Sequence, residues 1–260
     1  MNVFPRVTII TVSFNSAKSI QDTIESVLAQ DYPNLEYIVV DGDSRDGTQA
    51  IISRYEGQIA QWISEKDQGM YDAMNKGIAM ATGEIIGILN SDDVYMHSAV
   101  ISEVVQAMQI AKVDTAFADL IYVDAINKSK VLRYYDSGQF TPAKFRWGWM
   151  PAHPTFFVKK YIYDVVGPFA LDYQIAADFE MLIRILAVQK MSYVYIPKPM
   201  VRMTAGGAST ANWSRNWILN REIVRACKKH GLDSNLAMLL LKIPQKLWGS
   251  LKGRMISLGQ

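Results

Sequence analysis

A chain of 260 residues, half of them hydrophobic, is long enough for one sizeable core, or a core domain with an appendage, and too short to favour two independent domains. The net charge of +2 is too small to argue for a nucleic-acid partner, and none is expected, but it is unevenly spread: residues 221–260 carry eight Lys or Arg against Glu222 and Asp233, a balance of +6 that leaves −4 on residues 1–220. A single cysteine, Cys227, excludes an intrachain disulfide and fits a reducing compartment.

The first residues lack the basic region and apolar run of a secretory leader, and no stretch reaches the roughly 18 apolar residues of a membrane span. The expected location is therefore cytoplasmic, with any membrane contact peripheral to the inner face of the plasma membrane.

Val7 to Val12 is a continuous, largely β-branched run of the kind that forms a strand buried on both faces. A helix is predicted over Ser19 to Gln30, with Ile20, Ile24, Val27 and Leu28 on one face. A second buried strand, Tyr37 to Val40, ends in Asp41-Gly42-Asp43-Ser44. A helix over Thr48 to Tyr55, a short strand over Ile59 to Ile63, a helix over Met70 to Ala81 and a strand ending at Leu89 follow. This alternation predicts a mostly parallel sheet flanked by helices.

Beyond residue 112 the rhythm changes. Thr115 to Val123 and Lys130 to Tyr134 read as a hairpin, Phe140 to Pro154 as an irregular aromatic loop, Asp178 to Val188 as a helix and Tyr193 to Ile196 as a strand. The division is thus 1–112, 113–210 and a helical, basic, amphipathic extension over 211–260. In its last part Leu236, Leu239, Leu240, Ile243, Leu247, Leu251, Met255 and Leu258 recur at helical spacing among lysines and arginines, with a break at Pro244. Residues 234–260 suit a membrane interface, the main domain, or a second copy of the chain in a homodimer; amphipathicity does not separate these.

Three acidic groups carry the chemistry. Leu89 runs into Asn90-Ser91-Asp92-Asp93 at a strand end, where open α/β sheets bind ligands. Carboxylates there suit Mg²⁺ or Mn²⁺ with a phosphorylated substrate, the alternative being a cap for the helix that begins near Ser98. Asp41 and Asp43 end the second strand. Asp178 and Glu180 open a helix, as a base or as residues favoured by the helix dipole. No P-loop pattern exists, and Ser13-Phe14-Asn15-Ser16-Ala17 stands where a dinucleotide fold would carry its glycines. Val39-Val40-Asp41-Gly42-Asp43-Ser44 imitates the nucleophile motif of haloacid dehalogenase phosphohydrolases, though at the second strand rather than the first.

Taken together the chain resembles the family 2 glycosyltransferases of the glycosyltransferase-A fold. The resemblance spans residues 5–210 and rests on Val7 to Asn15, Val40 to Thr48, Ser64 to Gly77, Leu89 to Asp93, and Ala176 to Arg184, in the family order. It implies that Thr11 and Val12 line a nucleotide pocket, that Asp41 accepts a hydrogen bond from the base, and that Asp67 and Asn75 help close the donor site. It further implies that Asp92 faces ribose or metal, that Asp93 is the main ligand of Mn²⁺ or Mg²⁺, and that Asp178 is the general base. Three departures stand out. Asn90 replaces the first acid of the usual Asp-x-Asp, Ala177 replaces the Glu that often precedes the base, and Ala143 stands at the Gln position of the processive synthases' motif, which predicts one sugar transferred per encounter.

His153 suits an acceptor or leaving-group contact or a structural loop role. Trp149 suits stacking on a sugar or core filling. Arg202 and the Gly207 and Ser209 loop suit a lid over pyrophosphate or an ordinary turn. The expected activity is inverting, metal-dependent transfer of a sugar from a nucleotide-diphosphate donor, UDP favoured, to a glycan or lipid-linked saccharide of a bacterial surface polysaccharide of the O-antigen kind. The competing readings are a metal-dependent phosphohydrolase with Asp41 as nucleophile and a non-catalytic sugar-nucleotide-binding protein.

Overall fold

The computed structural model describes residues 4–205, 213–239, 249–252 and 255. Its first part alternates strand and helix: β1 (Val7–Ser13), α1 (Ile20–Leu28), β2 (Leu35–Asp41), α2 (Thr48–Ile52), β3 (Gln61–Ser64), α3 (Met70–Met80) and β4 (Ile85–Ile88). Helical crossovers make neighbouring strands parallel, in the order β3-β2-β1-β4. Val7 and Ile9 with Tyr37 and Val39 pack into one apolar layer with α1, while Ile10 and Val12 with Ile38 and Val40 pack into the other with α3. Both faces are covered, which is why these strands read as unbroken apolar runs. Gly77 seats α3 on the sheet, because a Cβ there would stand 2.4 Å from Ile10 Cγ2.

The second part departs from that rhythm with β5 (Asp93–Tyr95), α4 (Val100–Ala111), β6 (Thr115–Val123), β7 (Val131–Tyr135), β8 (Phe157–Lys159), α5 (Tyr161–Val166), α6 (Ala177–Leu182), continued by a π turn Ile183–Val188, and β9 (Tyr193–Thr204). The described strands form one curled sheet, β3-β2-β1-β4-β8-β6-β9-β5, with β7 beside β6. Only β6 and β9 pair in parallel here; β4 with β8, β8 with β6, β6 with β7 and β5 with β9 are antiparallel. The sheet is therefore mixed, since no helical crossover joins consecutive strands between β6 and β8. β9 runs eight residues past the predicted Ile196, through Pro197 and Pro199, and its register against β6 shifts around Asp119, opposite Pro199. Irregular pairing is what prolines inside a strand require.

Two further helices, α7 (Trp213–Lys229) and α8 (Leu236–Leu239), follow. Ile223, Ala226 and Cys227 of α7 join the same apolar cluster as Phe145 and Phe179, so Cys227 is a buried packing residue as its position predicts. α6 is tied to α7 through Glu180, fully buried, which accepts from Arg184 Nε at 2.9 Å and Lys229 Nζ at 3.1 Å and pairs with His230 Nε2 at 2.8 Å. Burial alone would raise this carboxyl; His230, Arg184 and Lys229 outweigh it and hold Glu180 below its usual range.

Part of the predicted amphipathic tail, residues 240–248, 253–254 and 256–260, lies outside the described residues. The described turn at 249–252 packs on β7: a Cβ on Gly249 would stand 2.6 Å from the Tyr134 carbonyl oxygen, and the Lys252 ammonium sits 3.9 Å over the Tyr134 ring and 3.2 Å from Asp136. No helix among the described residues is long and apolar enough to cross a membrane.

Candidate active site

A cleft of about 1530 Å³ opens at the carboxyl ends of β1, β2 and β4 and extends to β7, α6 and α7. One wall is built from the loops that leave the parallel strands: Val12 to Ser16 after β1, Gly42 and Asp43 after β2, Asp67 after β3, and Asn90 to Asp92 after β4. These loops lock one another. Asn15, at a left-handed φ of 49°, receives Ser44 Oγ on its N–H and offers Oδ1 to the Arg45 N–H, while Ser16 Oγ meets Ser91 Oγ at 2.7 Å. Gly42 allows Asp67 to approach, since a Cβ there would lie 2.5 Å from Asp67 Oδ2. Phe14 stays largely exposed on this wall, an aromatic face that strand patterning did not single out.

Two of the expected donor contacts are structural instead. Thr11 shares the face of β1 that carries Val7 and Ile9, is fully buried, and accepts the Tyr37 hydroxyl at 3.0 Å; Val12, the next residue, lines the cleft. Asp41 is fully buried and saturated. Its Oδ1 accepts from Ser13 Oγ and Ser44 Oγ, and its Oδ2 from the Ser44 N–H and Ser64 Oγ, at 2.6–2.9 Å. With its carboxylate so engaged and absent from the cleft lining, Asp41 neither offers a base contact nor supplies the nucleophile of a phosphohydrolase.

Asp92 faces the cleft half-buried, and burial raises its carboxyl. Asp93 lies beneath it on β5, fully buried and outside the lining, its pKa pushed well up by burial and by the Asp92 charge. Asp93 Oδ2 accepts from Asn90 Nδ2 at 3.2 Å, but Asp93 Oδ1 and Asn90 Oδ1 are buried without a partner. Unmatched oxygens beside a cleft carboxylate are the donor set that a hard divalent cation takes, so the residues fit Mg²⁺ or Mn²⁺. The exposed position passes from Asp93, the expected main ligand, to Asp92. No group of three or more acidic, His or Cys side chains stands together for a metal among the described residues.

Asp178 reaches the cleft from the first turn of α6. Burial raises its carboxyl; His153, the Phe179 N–H and the Tyr71 hydroxyl act in the opposite direction. The Phe179 N–H donates to Oδ1 at 2.8 Å and the Tyr71 hydroxyl reaches it at 3.4 Å. The approach to α6 is held by Glu222 of α7, whose carboxylate accepts the N–H groups of Gln174, Ile175 and Ala176 at 2.7, 2.9 and 3.0 Å. His153 lines the cleft, packed edge-on to Phe169, and burial lowers its imidazole pKa against the pull of Asp178. Trp149 also lines it, stacked on Tyr135 at 5.3 Å.

Other expected contacts fall elsewhere. Asn75 exchanges two hydrogen bonds with the Phe169 backbone, fixing the loop before α6 rather than closing a donor site. Asp67 does line the cleft and accepts the Gly69 N–H. Arg202 is absent from the lining, whereas its β9 neighbour Met203 is present, as strand alternation requires. Gly207 and Ser209 lie outside the described residues. Phe14, Tyr71, Glu222, Arg133 and Arg215 were not foreseen; an arginine on a half-buried strand and a glutamate on a helix carry no pattern that marks them.

A curled mixed sheet with a cleft at the carboxyl ends of its parallel strands is the arrangement of the glycosyltransferase-A fold. The profile of "Glycosyl transferase family 2" matches residues 8–167, and the chain belongs to that family. An uncharacterized glycosyltransferase of Mycobacterium tuberculosis is 34% identical over 193 residues, covering 71% of this chain and 70% of its own. A PGL/p-HBAD biosynthesis glycosyltransferase of Mycobacterium bovis is 28% identical over 183 residues, 69% of each chain. Over 92 residues, 34% of this chain and 36% of the relative, it is 40% identical to the putative teichuronic acid biosynthesis glycosyltransferase TuaG of Bacillus subtilis. Among solved structures, S. aureus TarS in complex with UDP-GlcNAc superposes with a TM-score of 0.68 at 18% identity, over 90% of this chain and 70% of that one. A mannosyltransferase of Pyrobaculum calidifontis, in complex with GDP-Man and Mn²⁺, gives 0.64 at 20% identity over 99% and 74%. At such identities the two structures speak for the fold.

Proposed function

We propose that this glycosyltransferase moves one sugar, with inversion, from a nucleoside-diphosphate sugar to a hydroxyl of a saccharide acceptor in bacterial envelope polysaccharide or glycolipid synthesis. The observation that carries this is the presence of Asp92 and Asp178 in one cleft, one on the loop after β4 and the other on α6. The wall from Val12 to Asp92 would hold the nucleotide, with Phe14 offering a face to the base. Asp92, with the unmatched oxygens of Asn90 and Asp93, would hold Mn²⁺ or Mg²⁺, which when bound neutralises the diphosphate as it leaves. Asp178 takes the proton of the acceptor hydroxyl while the new C–O bond forms and the bond from the anomeric carbon to phosphate breaks on the opposite side. The diphosphate carries away the electron pair. The Phe179 N–H fixes the carboxylate, the Tyr71 hydroxyl stands beside it while donating to the Ile175 carbonyl oxygen, and burial makes Asp178 a stronger base than a solvated aspartate.

UDP is the favoured nucleotide, a reading supported by the UDP-GlcNAc complex of the TarS structure; the mannosyltransferase complex keeps GDP in the comparison. The test is release of nucleoside diphosphate from UDP-GlcNAc, UDP-glucose and GDP-mannose in the presence of lipid-linked and soluble saccharide acceptors and without them, each with Mn²⁺ and with chelator. Metal-dependent release with one donor, lost in Asp178→Asn, supports the reading. Binding without release in any condition would leave a sugar-nucleotide-binding protein.

A further inference from the structure

Asp93, Met203, Tyr122 and Arg133 stand in one register row across β5, β9, β6 and β7. Three strand spacings, about 14 Å, thus separate Arg133 from the donor-side carboxylates. Arg133 acts on the hydroxyls of both neighbouring tyrosines, together with Asp178 on Tyr135 and with Asp93 and Asp178 on Tyr122. Its guanidinium is clamped between the Tyr122 and Tyr135 rings, 5.3 Å from each centroid, and its Nε is buried with no partner. Arg215 of α7 lines the same cleft, and its Nε is likewise buried and unpartnered. Neither arginine has a carboxylate in ion-pair range among the described residues, unlike Arg184, Arg225 and Arg6. The same cleft is lined by Leu219, Ile223, Leu236 and Leu239 of α7 and α8.

Each arginine is half-buried with its Nε shielded from water and unpaired, and two such groups lining one cleft are matched by a group of more than one negative charge with several acceptor oxygens. We propose that Arg133 and Arg215 form an anion subsite on the acceptor wall that takes a phosphate of the acceptor, with the leucine surface alongside for an aliphatic portion. This rests on the transferase reading and adds the acceptor's chemical class: a phosphate-bearing saccharide, whether its phosphate belongs to a lipid carrier or to a soluble sugar phosphate.

The test is calorimetric titration of the full chain, saturated with Mn²⁺ and whichever of UDP or GDP it binds. The probes are decyl phosphate, glycerol 3-phosphate and the neutral decyl glucoside; the proteins are wild type, Arg133→Gln, Arg133→Lys and Arg215→Gln. A phosphate probe should bind wild type above the neutral control and weaken about 10-fold or more in each Gln variant, with part of the affinity kept by Arg133→Lys. Arginine-dependent binding of decyl phosphate alone assigns the subsite to a lipid-linked phosphate, and equal binding of glycerol 3-phosphate to a soluble one. Should Arg133→Gln fail to fold, Arg215→Gln on its half-buried helix position decides. Phosphate binding that survives both Gln variants, that never exceeds the neutral control, or that bound nucleotide abolishes would overturn the proposal. If neither nucleotide binds while arginine-dependent phosphate binding persists, the transferase reading falls and the anion subsite stands.

Discussion

The end of β2 and the start of α6 handle their carboxylates in opposite ways. At the end of β2 the conspicuous carboxylate, Asp41, set back from the cleft, is consumed by four hydrogen bonds from Ser13, Ser44 and Ser64, and the loops around it are stitched by further short contacts. At the start of α6 Asp178 has no ion-pair partner among the described residues, nor have Arg133 and Arg215 in the same cleft, although Glu180, two residues from Asp178 in the same helix, is matched by Arg184, Lys229 and the His230 ring. A charged group whose hydrogen bonds are all made within the chain has little left to offer a substrate. The difference between Glu180 and Asp178 separates a residue that holds the fold from one available for chemistry.

Breaking that contrast should have effects of graded size. Asp178→Asn should lower kcat by about 10²- to 10⁴-fold, as loss of a general base does, with nucleotide affinity unchanged. The same variant should melt higher at neutral pH. A carboxyl raised in the folded state binds its proton more tightly there than in the unfolded chain, so stability falls as pH rises through the interval between the two values, and the neutral amide removes that penalty. For the same reason wild-type kcat should drop on acidification at a pH above the ordinary carboxylate range, where Asp178 takes up its proton; a pH-rate profile reads this directly.

Glu180→Gln should act on stability instead, by about 3 kcal/mol in denaturant unfolding, because it leaves Arg184, Lys229 and His230 facing a neutral group. Its wild-type contribution has the opposite pH sign. A depressed carboxyl stabilises above its unfolded value and loses that contribution as pH falls through its folded one.

Glu222→Gln should be intermediate, reducing kcat several-fold at nearly constant donor KM, since it loosens the 174–176 loop that carries α6 without touching the nucleotide wall. Smallest of all, Thr11→Val should cost about 1 kcal/mol of stability, one buried hydrogen bond to Tyr37, and leave nucleotide affinity unaltered. A tenfold change in affinity there would return Thr11 to the donor site.

The parallel half of the fold was legible in the sequence because strands covered on both faces announce themselves as apolar runs and their crossover helices by amphipathic spacing. The three-residue strands β5 and β8 carry no such period, and β9 hides behind two prolines at an irregular register. In the site, Val12, Asp67, Asp92, Asp178, His153 and Trp149 were named and line the cleft; Thr11, Asp41, Asn75, Asp93 and Arg202 were named and do not. Motif position places a residue at a strand end, but which way its side chain turns, and whether three serines have already claimed it, is settled by tertiary contacts. Arg133, Arg215 and Glu222 escaped for the converse reason: their meaning lies in partners, or missing partners, remote in sequence.

The most direct test of this division of labour is calorimetric titration of UDP and GDP, with Mn²⁺, into wild type, Asp92→Ala and Asp178→Asn. One nucleotide should bind wild type and Asp178→Asn equally and lose most of its affinity in Asp92→Ala. Undiminished binding by Asp92→Ala, or loss of binding in Asp178→Asn, would contradict the assignment of the two walls.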